Sequence, residues 1–155
     1  MKTKLKIYLG HAISGLSYDQ VAGYYVAMED KLTKMGFDVM HPMLGKGNLR
    51  TEKEFRSTGY GNPESTNHAI KMRDKWMVKH ADVILMDYTD APMPSIGMAS
   101  ELAWGEEFGK HCVVVVQPGN PNYHAFVLEN ATIVYENIED ALNYLNILQN
   151  GDPNL

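Results

Sequence analysis

Short apolar runs without polar alternation constrain the fold of this chain more than any other feature. The clearest runs are DVILM (82–86) and HCVVVV (111–116), and KIYLG (6–10) is a shorter run that ends in glycine. A strand with one face in solvent places a polar residue at every second position, whereas a strand covered on both faces does not. The three runs therefore predict interior strands of a sheet that helices cover on both faces.

Segments with helical spacing separate these strands. The pattern predicts helices over residues 17–35, 64–81, 95–109 and 137–150, and two more strands over residues 37–42 and 131–135. In the second of these helices, Ile70, Trp76, Met77 and His80 lie near one side. Strands that alternate with helices in this way form a parallel sheet. We therefore expect an α/β fold with five parallel strands, in one domain that spans residues 1–155.

Composition excludes several classes of protein. Hydrophobic residues make up 45% of the chain and charged residues 21%, which is typical of a globular domain. The net charge of −5 argues against a nucleic acid polymer as the partner. No apolar stretch is long enough for a membrane span, and the N-terminal apolar run is too short for a signal peptide. The single cysteine, Cys112, predicts a buried thiol in a reducing, cytoplasmic compartment.

The loops at the carboxyl ends of the predicted strands are where a parallel sheet binds its ligands. Here they span residues 10–15, 42–63, 87–94 and 117–124. The 42–63 loop is long and contains several glycines, which is typical of a binding loop. Residues 10–15 contain only two glycines, so they do not form a dinucleotide-binding fingerprint. The six histidines show no metal-ligand spacing, and we expect neither a metal nor a cofactor.

Three carboxyl side chains near these loops are candidates for chemistry. Glu101 lies about two turns into the segment SIGMASELAWG (95–105), where Ser95 is suited to cap the helix and Gly97 would let a ligand approach. Spacing alone leaves open whether Glu101 is solvated or belongs to a site. Asp87 ends a strand, and Asp74 follows Arg73 in a predicted helix; taken alone, both are typical of solvated positions.

Four segments in this order resemble the nucleoside 2-deoxyribosyltransferase family, including its relatives that hydrolyse nucleotide N-glycosidic bonds. They are YLGHAISG, MRDKWMVKHADVILMDYTD, SIGMASELAWGEEFGKHCVVVV and NPNYHAFVLENATIV. The resemblance extends from Ile7 to about Leu145. Its most specific part is S-I-G-x-x-x-E-L-x-x-G, which looks like the family's nucleophile helix. The resemblance implies a flavodoxin-like three-layer sandwich and a covalent glycosyl-enzyme mechanism.

The resemblance also implies roles for individual residues. Glu101 matches the nucleophilic glutamate, Asp74 matches the aspartate that meets the base or a sugar hydroxyl, and Tyr8 matches a tyrosine near the nucleophile. His124 and Phe126 match a loop that completes a neighbouring subunit's site, so a homo-oligomer with shared sites is expected. The full set of expected substrate contacts is Gly10, Ala12, Ile13, Asp87, Ser95, Gly97, Met98, His124 and Phe126.

The reaction that the resemblance implies has two forms. Our first interpretation is transfer of deoxyribose from a 2′-deoxyribonucleoside to another free nucleobase. Ser95 matches a phosphate-contacting serine of the nucleotide-cleaving relatives, but Ala12 stands where those relatives carry a further serine. The alternatives are therefore a 2′-deoxynucleoside 5′-monophosphate N-glycosidase and a non-catalytic nucleotide-binding module. In each case the partner is a deoxyribonucleoside or deoxyribonucleotide, and neither a nucleic acid polymer nor a membrane is expected.

Overall fold

The computed structural model describes residues 2–49, 54–56 and 58–155. Its centre is a sheet of five parallel strands in the order β2-β1-β3-β4-β5. The strands are β1 (Lys6–His11), β2 (Asp38–Met40), β3 (Val83–Asp87), β4 (His111–Val115) and β5 (Ile133–Tyr135). The predicted α/β fold with a five-stranded parallel sheet is confirmed, and all five strands lie within one or two residues of the predicted positions.

Helices cover both faces of the sheet. They are α1 (Tyr18–Met35), α2 (Asn67–His80), α3 (Ile96–Glu107), α4 (Ala125–Asn130) and α5 (Ile138–Asn150). The side chains of α1 and α5 pack into one apolar core with alternate residues of the strands. The side chains of α2, α3 and α4 pack into a second core on the opposite face. Tyr8 of β1 belongs to this second core, as do Ile84 and Met86 of β3.

Local signals explain where the first helix begins and ends. Ser17 caps α1, because its side chain accepts a hydrogen bond from the Gln20 N–H and its own N–H donates to the Gln20 side chain. Gly36 ends the helix in a left-handed conformation with φ +105°.

Two elements differ from the sequence prediction. The helix predicted over residues 64–81 begins later, at Asn67, because Pro63–Ser65 form a separate 3₁₀-helix and Thr66 then caps α2. The short helix α4 was not predicted, since residues 118–126 have the composition of a loop. Within α2 the buried side is formed by Asp74, Met77 and Val78, whereas Trp76 is 54% exposed and His80 is exposed.

Two further observations concern the rest of the chain. Cys112 is a free, buried thiol in the second core, as expected. In the part of the chain that the structure describes, no helix combines the length and the apolar character that crossing a membrane requires.

Candidate active site

Glu101 occupies an inward-facing position of α3. The buried residues of this helix are Met98, Glu101, Leu102 and Gly105, which follow one helical stripe. A Cβ atom on Gly105 would lie 3.0 Å from a side-chain carbon of Ile84, so this glycine lets α3 approach the sheet closely. Glu101 is only 6% exposed. Ile96 and Ala99 of the same helix are exposed, because the buried stripe begins at Met98.

Three buried polar atoms, one of them an oxygen of Glu101 itself, form a cluster at this position. The Tyr8 hydroxyl, Oδ1 of Asp74 and Oε2 of Glu101 have no hydrogen-bond partner among the described residues. Tyr8 is fully buried and Asp74 is 7% exposed, so solvent does not satisfy these atoms either. Buried polar groups in native proteins are nearly always hydrogen-bonded, and exceptions are concentrated at functional sites. A cluster of three such atoms is suited to bind a polar ligand.

The two carboxyl groups influence each other's protonation. Burial raises the pKa of Glu101 well above its usual range, and the neighbouring Asp74 carboxyl raises it further. Burial raises the pKa of Asp74 to about 6, although the charges of Lys46 and Arg73 oppose the shift. Two carboxyl groups this close in a low-dielectric environment titrate as a pair and resist being charged together. The pair can therefore hold one proton and one negative charge near neutral pH.

A pocket leads from the surface to this pair of carboxyl groups. It has a volume of about 290 Å³ and lies between α2 and α3. Its lining consists of Asn67, Ile70, Lys71, Asp74, Gly97, Ser100, Glu101 and Trp104. Apolar walls with a few polar groups at one end are typical of a small-molecule site. A Cβ atom added to Gly97 would have no neighbour within 4 Å, so the start of α3 is open to a ligand.

A second, much smaller notch of about 10 Å³ lies between the first loop and the start of α3. It is lined by Ala12, Ile13, Ser14, Pro92, Met93, Pro94 and Ser95. Three expected substrate contacts, Ala12, Ile13 and Ser95, therefore come together here. None of the seven lining residues is basic.

The amino-acid sequence decides the family. Residues 7–144 match the sequence model of the family described as nucleoside 2-deoxyribosyltransferase. The chain belongs to the nucleoside 2-deoxyribosyltransferase family. This confirms the resemblance noted in the sequence and places the chain among enzymes that act on nucleosides. No curated protein matches the chain in a direct comparison.

Two solved structures have the deoxyribosyltransferase fold seen here. One is the 2-deoxyribosyltransferase of the psychrotolerant bacterium Bacillus psychrosaccharolyticus, with a TM-score of 0.62 and 22% identity, over 90% of this chain and 91% of that chain. The other is the CMP N-glycosidase BcmB of Clostridium botulinum, with a TM-score of 0.51 and 14% identity, over 92% of this chain and 98% of that chain. At these identities the likeness establishes the shared fold and nothing finer.

Asp87 lies on the other face of the deoxyribosyltransferase sheet. Its carboxyl group is buried and accepts a 2.6 Å hydrogen bond from the Tyr24 hydroxyl of α1 and a 3.0 Å bond from the Thr89 N–H. Side chains alternate between the two faces of a strand, so Asp87 points away from the face that carries Met86. The structure does not bring Asp87 to Glu101, and its expected contact with substrate stays a prediction.

Ser95 is held at the start of α3 by a residue that sequence reasoning missed. The Ser95 hydroxyl accepts a 3.2 Å hydrogen bond from the Met98 N–H, as expected of a helix cap. The Ser95 N–H donates a 2.7 Å bond to the buried Asn122 side chain, which also donates to the Met93 carbonyl. Met98 itself is buried in the second core and lines neither pocket. The segment NPNY marks a turn, but nothing local reveals that Asn122 reaches α3.

His124 and Phe126 lie on the surface beside the site. His124 caps α4, since its Nδ1 accepts a 3.1 Å hydrogen bond from the Phe126 N–H. Phe126 is 77% exposed, and the two rings pack edge to face with centroids 5.6 Å apart. Neither residue lines the pockets of its own chain. Their expected role in a neighbouring subunit's site stays a prediction.

The structure adds one charged residue to the neighbourhood of the carboxyl pair. Lys46 belongs to the long loop predicted over residues 42–63 and is only 6% exposed. A lysine in a glycine-containing loop is usually solvated, so no local signal in the sequence identifies it. Across residues 2–49, 54–56 and 58–155, no group of three or more His, Cys, Asp and Glu side chains is arranged to hold a metal ion.

Proposed function

We propose that this protein cleaves the N-glycosidic bond of 2′-deoxyribonucleosides and transfers the deoxyribose to another nucleobase, with Glu101 as the nucleophile. The observation that carries the proposal is the buried Glu101 carboxyl, whose unsatisfied oxygen lies beside Tyr8 and Asp74 at the end of an open pocket. Membership of the nucleoside 2-deoxyribosyltransferase family supports the substrate class.

In the first step a carboxylate oxygen of Glu101 bonds to the anomeric carbon as the carbon–nitrogen bond breaks. The electron pair of that bond goes to the departing base, and a proton from Asp74 neutralises it. The product is a deoxyribosyl ester of Glu101, as in retaining glycosidases. Because the two coupled carboxyl groups share one proton, Asp74 can carry it while Glu101 attacks as the carboxylate.

In the second step the nitrogen of an incoming base attacks the anomeric carbon of the ester. The Glu101 carboxylate leaves with the electron pair, and Asp74 takes the proton that the incoming base loses. Burial raises the pKa of the Tyr8 phenol, and the charges of Glu101 and Asp74 raise it further, so Tyr8 stays neutral. Tyr8 therefore acts as a hydrogen-bond donor that orients the Glu101 carboxylate before the first step and after the second.

The small notch favours a nucleoside over a 5′-monophosphate as the substrate. The notch between Ala12 and Ser95 has a volume of about 10 Å³ and no basic lining residue. A phosphate dianion is usually bound by arginine, lysine or several backbone N–H groups. The hydroxyls of Ser14 and Ser95 in this notch are the observation that keeps the monophosphate N-glycosidase as the second candidate.

One experiment separates the candidates. The purified protein is incubated with each 2′-deoxyribonucleoside and each 5′-monophosphate, with and without a second base, and products are separated by chromatography. We expect a new nucleoside only when an acceptor base is present. Release of free base from monophosphates alone would identify the N-glycosidase instead. Binding without turnover, equal in wild type and Glu101→Gln, would identify a non-catalytic module.

A further inference from the structure

Lys46 is a mostly buried lysine in the loop between β2 and α2. Lys46 is 6% exposed, and its side chain makes neither a hydrogen bond nor an ion pair with any residue that the structure describes. Lysine is almost never buried to this degree unless it is paired, because removing the charge from water is costly. A buried cation that keeps its full set of donors free is suited to a ligand that supplies acceptors.

The loop delivers Lys46 to α2 beside Asp74. Backbone hydrogen bonds from Lys46 N–H to the Met43 carbonyl and from Leu49 N–H to the Lys46 carbonyl hold the turn. Gly45 adopts φ +79°, and a Cβ atom there would lie 2.8 Å from the guanidinium carbon of Arg73. The loop therefore packs directly on the side chain that precedes Asp74. Burial lowers the pKa of Lys46. The carboxyl groups of Asp74 and, less strongly, of Glu101 offset part of this shift.

The proposed chemistry decides which part of a substrate this cation suits. Positive charge develops on the anomeric carbon, and the electron pair of the broken bond moves onto the base. A fixed cation would repel the positive charge on the anomeric carbon and stabilise the negative charge on the base. The loop that carries Lys46 packs on Arg73, the residue next to Asp74, and Asp74 is the proposed proton donor to the base. The base side of the reaction is therefore where the Lys46 ammonium is favourable.

We propose that Lys46 is a specificity-determining residue that donates a hydrogen bond to an exocyclic carbonyl oxygen of the nucleobase and stabilises its negative charge as the base leaves. The inference rests on the proposed function. An ammonium group has three donors and no acceptor, so it pairs with a carbonyl oxygen and not with an exocyclic amino group. Hypoxanthine and uracil offer a carbonyl where adenine and cytosine carry the amino group. The preferred substrates are thus those with the oxo group.

The test compares matched substrates in wild type and Lys46→Met, a variant that keeps the length and apolar stem of the side chain. The pairs are 2′-deoxyinosine with 2′-deoxyadenosine, and 2′-deoxyuridine with 2′-deoxycytidine. We expect wild type to prefer the oxo member of each pair. Lys46→Met should lower kcat/KM for the oxo member by about 10- to 100-fold, the range for losing a hydrogen bond from a charged donor. For the amino member, kcat/KM should fall less than about 3-fold, because this substrate accepts no hydrogen bond from Lys46.

The control variant is Lys79→Met, which removes a lysine from the exposed side of α2, where Lys79 lies over the Phe108 ring. It should leave the preference unchanged. Lys46→Met should fold, because methionine keeps the buried apolar stem of the side chain, and its thermal unfolding is measured beside that of wild type. If Lys46→Met does not fold, Lys46→Gln replaces it and should reduce the preference, since its amide is a neutral donor.

Equal losses for both members of each pair, or no loss, would overturn the role of Lys46. Failure of the proposed function has a different signature, because wild type would then turn over none of the four nucleosides. In that case binding of free hypoxanthine and adenine is measured by calorimetry. Selective weakening of hypoxanthine binding in Lys46→Met would still support the carbonyl contact, and equal affinities in both proteins would overturn it.

Discussion

A Cβ atom on Gly10 would lie 3.4 Å from Oε2 of Glu101 and 2.4 Å from the sulfur of Met86. The end of β1 therefore passes the Glu101 carboxyl with no side chain between them. The glycine at this position keeps space for the buried carboxyl and for the methionine that packs behind it.

Gly10→Ala should force Met86 to move, since a separation of 2.4 Å is far below van der Waals contact. Overpacking of this kind typically costs about 1–3 kcal/mol, measured as the free energy of unfolding in denaturant. In a Met86→Ala background, Gly10→Ala should cost less than it does in wild type, because the clashing sulfur is absent. Additive losses in the double variant would show that the Met86 contact is not the cause.

Glu101→Gln should fold like wild type and lose turnover by on the order of 10³ or more, because an amide oxygen does not replace the nucleophilic carboxylate. Incubation of wild type with substrate and no acceptor, followed by acid quench and peptide mass spectrometry, should locate a deoxyribosyl ester on Glu101. The exposed Glu107 on the same helix provides the control, and Glu107→Gln should retain activity. An ester on another carboxyl group would reject the assignment.

Asp74→Asn should lower turnover by roughly 10²–10⁴, the usual range for a lost acid–base group. The free energy of unfolding should change in the opposite direction, so Asp74→Asn should be more stable than wild type at neutral pH. The folded-state pKa of Asp74, about 6, is above the ordinary value of 3.8, so unfolding releases a proton between these pH values and wild type loses stability as pH rises through them. Asn does not titrate, so the stability advantage of the variant should grow from pH 4 to pH 7 in thermal unfolding. A constant difference across this range would contradict the raised pKa.

Tyr8→Phe removes a buried hydroxyl whose neighbour is the Glu101 carboxyl. The thermal midpoint should stay within a few degrees of wild type, because phenylalanine keeps the buried ring and only the contact with Glu101 is lost. Turnover should fall by about 10- to 100-fold if the hydroxyl orients the Glu101 carboxylate, which is the range for one hydrogen bond to a charged group. A large loss of stability with unchanged activity per folded molecule would make Tyr8 a core residue only.

Mixing two impaired variants should restore activity if subunits share sites. Phe126 of α4 (77% exposed) and Ile96 at the start of α3 (83% exposed) are large apolar side chains in solvent and suit a contact between copies of the chain. Glu101→Ala subunits mixed with His124→Ala/Phe126→Ala subunits should form some sites that carry neither defect, measured as turnover above that of both parents. Glu101→Ala mixed with Asp74→Asn is the control and should show no rescue, since both residues come from one subunit. A monomer that is fully active would exclude shared sites.

Local chemistry accounts for most of the fold. The apolar runs of β3 and β4, the Ser17 capping box and Gly36 each act over a few residues, so the amino-acid sequence alone indicated the strands, the helices and their parallel arrangement. The family signature likewise depends on residues that are close in sequence, and it singled out Glu101. What spacing alone left open was whether that carboxyl group is solvated or buried.

Contacts between distant segments decided the rest. Taken alone, Asp74 and Asp87 are both typical of solvated positions. Asp74 becomes buried because α2 packs against β1 and α3, and the alternation of β3 directs Asp87 toward Tyr24. Lys46 and Asn122 carry no local signal, because their burial depends on loops that fold onto α2 and α3. The sequence by itself determined the fold class and the family. Only the tertiary structure decided which charges share one low-dielectric environment, because burial and electrostatic coupling depend on distances in space between residues far apart in the chain.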